Sequence, residues 1–158
     1  MSDALPTRSR LVAASLQAAE IDGQIVVLPD AASTAALAAA ALGVDVGAIA
    51  NSLVFWSDDE PLLVMTSGAH RVDTTALAER LGRSGIHRAT PDQVLTATGQ
   101  PIGGVAPTGH PQPLTTVVDE DLAAFPEIWA AGGTPHTVFP LTFAELVRLT
   151  GGTVTRVA

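Results

Sequence analysis

The densest concentration of residues able to do chemistry is Gly99 to His110, GQPIGGVAPTGH. It holds Gly99, Gly103, Gly104 and Gly109 with Pro101 and Pro107, and threads Ile102, Val105 and Ala106 between them. A flexible linker of this length would be polar. An apolar, proline-stiffened stretch reads instead as an ordered loop pressed against a core. Adjacent glycines leave no Cβ between the backbone N–H groups and a ligand. That suits the wall of a pocket for a small molecule or the end of a nucleotide chain. A tight turn between strands has the same composition, so the loop alone leaves both readings open.

Other reactive groups are scattered. His70, His87, His110 and His136 form no HxH or HxxxH pair, and cysteine is absent, so no metal site is expected. His110 ends the glycine loop and His136 follows Gly132-Gly133; a pocket pair and two ordinary surface histidines are both open. The acidic runs Asp58-Asp59-Glu60 and Asp119-Glu120-Asp121 read as solvated turns. The sequence contains no GxSxG elbow, Walker loop or GxGxxG fingerprint. No cofactor is expected, and no side-chain nucleophile is evident.

Composition narrows the partners. Net charge is −8 over 158 residues, which argues against DNA or general nucleic-acid backbone binding. It leaves room for a grip on one nucleic-acid end, and Arg71, Arg80, Arg83 and Arg88 are candidates for a local patch. All basic residues are arginine, which excludes lysine Schiff-base chemistry. MSDALPTRSR leads into no signal-like apolar region, and no apolar run reaches the length of a membrane span. A cytoplasmic protein with no membrane partner is expected.

These groups need elements to hold them. Thr7 or Ser9 is expected to cap a helix with Leu11, Val12, Leu16 and Ala19 on one face. Gln24 to Leu28 reads as a buried strand, and Ser33 as the cap of a helix ending at Gly43. Ser52 to Trp56 and Leu62 to Thr66 make a central hairpin, with Trp56 and Trp129 in the core or at a pocket rim. Asp73 caps a helix ending at Gly82. Thr90-Pro91-Asp92-Gln93 is a capping box that opens a helix ending at Gly99. Strands follow at 114–118, 128–131 and 136–139. Thr142 and Glu145 cap a last helix, and 153–157 is a terminal strand. The order is not regular βαβ alternation. It predicts an α+β fold, a compact single domain over 1–158 whose mixed, mostly antiparallel sheet is flanked by helices.

Three segments carry a resemblance over about Ala19 to Thr150. The first is Ala41-Leu42-Gly43 with Ile49-Ala50-Asn51-Ser52-Leu53-Val54-Phe55. The second is Gly103 to Gly109 with the strand and Asp119 after it. The third is Ala131-Gly132-Gly133 through His136, Leu141 and the last helix. In this combination and order they resemble the YbaK/EbsC family of aminoacyl-tRNA deacylases, which are similar to the editing insertion domain of bacterial prolyl-tRNA synthetases. The resemblance implies a pocket between sheet and helices. It also implies hydrolytic removal of a mischarged small amino acid, such as Cys, Ala, Ser or Pro, from the 3′ end of a tRNA.

On that footing the loop holds the aminoacyl adenosine, and the Gly103 and Gly104 N–H groups face the ester carbonyl as charge develops. A bound water, oriented by the substrate's ribose hydroxyl, is the attacking group. Asn51 stands where the family usually has lysine and is taken with Gly103 and Gly104 as the catalytic set. Pro107, Gly109, His110, Gly132, Gly133, His136, Ser67 and Gly68 are the expected substrate-binding residues. The expected partner is a tRNA acceptor end with its amino acid, and an aminoacyl-tRNA synthetase is a second. The alternative is a non-catalytic module that binds aminoacyl-adenosine and has lost the family lysine; a third reading is a hydrolase of some other small ester or amide.

Overall fold

A computed structural model describes residues 5–158; the first four, part of the segment read for a leader, lie outside it. The helices are α1 (Thr7–Ala18), α2 (Ala35–Leu42), α3 (Thr74–Leu81), α4 (Pro91–Thr98) and α5 (Phe143–Thr150). The strands are β1 (Val26–Val27), β2 (Ile49–Ser57), β3 (Glu60–Ser67), β4 (His87–Arg88), β5 (Thr115–Asp119), β6 (Ile128–Ala131), β7 (Thr137–Leu141) and β8 (Thr153–Thr155). They form one mixed sheet in the order β1-β7-β6-β2-β3-β5-β8, with β4 also on β2. The β2–β3, β2–β4, β6–β7 and β1–β7 pairs are antiparallel; β2–β6, β3–β5 and β5–β8 are parallel. The α+β expectation holds, and the β2–β3 hairpin is the centre of the sheet.

Alternation along β2 and β3 sends side chains to two cores. On one face Ala50, Val54, Leu63 and Met65 pack with Val12 and Leu16 of α1, Val94 of α4 and Leu146 of α5. On the other, Phe55, Leu62 and Val64 pack with Leu77 of α3, while Ile49 and Val138 meet Ala38 and Ala39 of α2. The small alanine side chains let α2 lie close to the sheet.

Local chemistry sets the helix ends. Thr90 with Gln93, and Thr142 with Glu145, make reciprocal capping boxes, each cap contributing about 1 kcal/mol. Asp73 caps α3. Gly43, Gly82, Gly99 and Gly151 close their helices in the left-handed conformation. The hairpin turn has Asp58 and Asp59 at φ 50° and 65°, the backbone sense that matches strand twist.

Several expectations are corrected. Pro6 precedes α1 with no side-chain cap; Thr7 lies inside the helix, and the Ser9 hydroxyl is buried against Thr137 Oγ1 at 3.0 Å. Leu11 is 59 % exposed, so the inward face of α1 is Val12 and Leu16. The expected buried strand at 24–28 shrinks to Val26–Val27, an exposed strand paired, among the described residues, with β7 alone. Thr34, not Ser33, caps α2. Asp119 is not solvated: it is buried at the end of β5.

Candidate functional site

The central strand β2 is covered along one edge by β3, but its other edge is interrupted. β6 pairs there only with Ile49 and Ala50, and β4 only with Phe55 and Trp56. One further bond, from the Ala89 N–H to the Val54 carbonyl (3.2 Å), extends the β4 side. Asn51, Ser52 and Leu53 therefore border a notch in the sheet. A cavity of about 260 Å³ fills this notch. Its walls come from β2, from Ala32–Ala35 and Ala38 around the start of α2, from Trp129–Ala131 of β6, and from Ile102, Gly103 and Val105 of the glycine loop.

Asn51, Leu53 and Phe55 share one face of β2. Arg88 is the register partner of Phe55, and its guanidinium lies 5.7 Å from the centre of that ring. This cation–π contact holds the side chain over the same face as Asn51. Arg88 is exposed and, among the described residues, is the sole charged side chain lining the notch. Of the arginine cluster read from sequence, Arg83 pairs with Glu60 (2.7 Å) and Arg80 bonds the Arg156 carbonyl, so Arg88 alone of these lines the notch.

The glycine loop divides at Ala106. Gly103 has φ +88°, and an added Cβ there would stand 2.9 Å from Ser33 Cβ, so the loop closes onto the segment before α2. Gly104 faces away from the notch. A Cβ on it would meet the Thr134–Pro135 backbone at 2.4 to 2.7 Å, and its N–H already donates to the Pro101 carbonyl at 3.0 Å. The N–H groups of Gly103 and Val105 have no such acceptor among the described residues.

Past Ala106 the loop lines a different space. Pro107, Gly109 and His110 border a cleft of about 650 Å³ with Arg8, Leu11 and Ser15 of α1. Here Gln100 and His110 tie the loop to itself, and the Thr108 hydroxyl bonds Ser15 of α1. Gln100, 2 % exposed, accepts from the Ala106 N–H (2.7 Å) and donates to the Thr108 carbonyl (3.1 Å). His110 Nε2–H donates to the Ala106 carbonyl at 2.8 Å. Burial lowers the His110 pKa below the ordinary value, and that hydrogen bond opposes the shift only in part.

The remaining expected residues brace these walls. Gly132 donates to the Thr137 carbonyl, and Gly133 packs on α1. His136 is exposed, in the turn beneath Gly104. Ser67 Oγ donates to the Gly47 carbonyl, and Gly68 abuts Val46 and Ala35. None of these five lines the notch. Asp119 accepts from the Ser67 N–H (2.9 Å), Thr66 Oγ1 (3.4 Å), His70 Nδ1 (2.9 Å) and the Asp121 N–H (3.0 Å). His70, Asp119 and Asp121 thus bring ligand-type atoms within 4.8 Å of one another, a convergence the sequence reading did not foresee. Both imidazole nitrogens face carboxylates, at 2.9 and 3.2 Å, so the group is a closed latch between the ends of β3 and β5.

The aminoacyl-tRNA editing domain family matches residues 29–149. A solved structure proposed to be a trans-editing enzyme for prolyl-tRNA synthetase superposes with a TM-score of 0.90, at 39 % identity, covering 98 % of each chain. YwhH of Bacillus subtilis (strain 168), itself uncharacterised, is 30 % identical over 115 residues, 72 % of this chain and 73 % of that one. A proline–tRNA ligase of Nitratidesulfovibrio vulgaris (strain DP4) is 31 % identical over 107 residues. The match covers 61 % of this chain and 19 % of the ligase, so the chain spans about a fifth of that enzyme. Among the described residues no helix is long and apolar enough to cross a membrane.

Proposed function

The chain belongs to the aminoacyl-tRNA editing domain family, and from that premise we propose that it is a trans-editing hydrolase removing a mischarged small amino acid from a tRNA 3′ end. The observation that carries this reading is the notch itself. It is small, walled mainly by alanine and valine, open to solvent, and bordered by residues whose backbone N–H groups have no acceptor among the described residues. A short neutral side chain fits such a wall, and a bulky or charged one does not.

Water adds to the ester carbonyl, the acyl–oxygen bond breaks, and the departing ribose oxygen takes up the proton. Gly103 and Val105 donate their N–H groups to the carbonyl oxygen as it becomes negative. Gly104, whose N–H is already bonded, takes no part in that step and serves instead as the close-packed support of the loop. Asn51 offers an amide to orient the ester or the terminal ribose. Arg88 supplies the positive charge for a terminal phosphate in a chain without lysine. The substrate's free ribose hydroxyl orients the water. The acceptor end of a charged tRNA is the partner, and an aminoacyl-tRNA synthetase is a second one.

The test is deacylation of a panel of mischarged tRNAs by the purified protein at enzyme excess. Release of a small amino acid from at least one is expected; none above buffer for any of them overturns the reading. One observation favours a second reading, that of a binder: among the described residues no carboxylate or imidazole lines the notch. Hydrolysis that appears only in Asn51→Lys would select it.

A further inference from the structure

Strand alternation decides where the peptide groups of β2 point. The Ile49 carbonyl accepts from Gly68, beyond the end of β3, and the Val54 carbonyl accepts from Ala89 on the opposite side. The β2–β3 register is unbroken from Ala50↔Ser67 to Ser57↔Glu60. Odd-numbered residues therefore direct N–H and C=O towards β3, and even-numbered ones towards the notch. The ladder to β6 stops at Ala50, and that to β4 begins at Phe55. Ser52 is thus left with both its N–H and its C=O turned into the cavity, with no strand of the described residues beside them.

Resting on the editing reading of this notch, we propose that Ser52 is the residue that recognises the aminoacyl group, by its main chain. The amino acid docks as a one-residue antiparallel strand. Its α-ammonium donates to the Ser52 carbonyl, and its acyl oxygen accepts from the Ser52 N–H. This is the two-bond exchange of a hydrogen-bonded β pair. The acceptors that the cavity offers support the assignment. Among the described residues no aspartate or glutamate lines it, and its one charged lining group is Arg88. An ammonium entering it meets neutral acceptors only, and the unpaired strand carbonyl is the one that the sheet holds fixed. The Ser52 hydroxyl is engaged elsewhere, donating to Met65 Sδ at 3.2 Å.

The test uses two non-hydrolysable amides, 3′-alanylamino-3′-deoxyadenosine and its 3′-propionylamino counterpart, which differ only in the α-amino group. Calorimetry with the wild type is expected to give about tenfold tighter binding of the alanyl compound, the effect of one hydrogen bond to a charged group. Ser52→Pro deletes the notch-facing N–H without removing a β2–β3 ladder bond; it is expected to weaken both analogues while keeping the preference. Equal wild-type affinity for the two analogues overturns the proposal, even if Ser52→Pro fails to fold. An equal loss in Ser52→Ala also overturns it, by assigning the effect to the hydroxyl. Deacylation of charged tRNA separates the outcomes. Activity without the preference sinks this inference alone, whereas neither activity nor binding sinks the reading of the site as well.

Discussion

The two halves of the glycine loop both mix glycine with apolar residues, and they have opposite fates. From Ile102 to Val105 the chain borders the notch, and among the described residues the N–H groups of Gly103 and Val105 meet no acceptor; from Ala106 to His110 it borders the rear cleft, where Gln100 holds the Ala106 N–H and the Thr108 carbonyl, His110 bonds the Ala106 carbonyl and the Thr108 hydroxyl bonds Ser15 of α1. The hinge of the first half is Gly104, wedged on the Thr134–Pro135 turn. A loop can present free N–H groups at a fixed position only if the rest of it is tied down. On this view the second half is the clamp for the first. Gly104→Ala is the severest way to break that arrangement, because the added Cβ meets backbone that cannot rotate aside. It should cost about 3 kcal/mol, at the upper end for overpacking, read as a shifted midpoint in urea. Gly99→Ala is the reference: its Cβ meets nothing nearer than 3.8 Å, and only the left-handed φ of +72° opposes it, about 1 kcal/mol.

Gln100 tests the clamp without touching the hinge. Replacement by alanine strands the Ala106 N–H and the Thr108 carbonyl in a buried setting, at a cost of about 2 kcal/mol. If the second half positions the first, deacylation should fall by more than the lost folded fraction explains. Activity that tracks folded protein alone would reduce the clamp to mere packing.

How much of this was legible beforehand follows from the range of each interaction. The capping boxes at Thr90 and Thr142, the hairpin turn and the glycine helix ends depend on partners within a few residues, and the sequence places them correctly. The notch depends on where β6 and β4 stop along β2, a matter of register between segments tens of residues apart, and β4 is only two residues long. Asp119 looks solvated beside Glu120 and Asp121, because the groups that bury it, Ser67 and His70, are 52 and 49 residues away. Of the expected site residues, Asn51 and Gly103 line the notch; the others brace it or face the rear cleft. Arg88 was one basic residue among several until its pairing with Phe55 aimed it.

At the front, Arg88→Gln should lower kcat/KM on charged tRNA about tenfold, the worth of one charge-assisted contact, with an unchanged melting temperature. Asn51→Ala should lose at least as much. In the rear cleft, Gln112→Ala, exposed and outside every hydrogen bond described above, should leave the rate within twofold. A rear-cleft loss matching that of Arg88→Gln would move the site from the notch to the cleft.

The smallest effect expected is a pH dependence of stability, and it sharpens the same contrast. His110 is half-buried in the clamp, and burial holds its pKa below the ordinary 6.5. The unfolded chain therefore takes up a proton more readily than the folded one, and stability rises with pH across the interval between the two values. Above the unfolded value the imidazole is neutral in both states and nothing is lost. As pH falls from there through the lowered folded value, stability drops, and below it the loss is complete. His110→Gln removes the titration and keeps a side-chain donor for the Ala106 carbonyl. Urea unfolding between pH 7.5 and 5 should show an acid-side decline in the wild type that is shallower in the variant. The notch has no imidazole in its wall, so binding of the alanyl amide at its own free concentration should stay flat over the interval while the protein remains folded. A binding curve that follows the unfolding slope before any unfolding begins would mean that the His110 proton reaches the front of the loop through Ala106, and that the two halves are coupled electrostatically as well as mechanically.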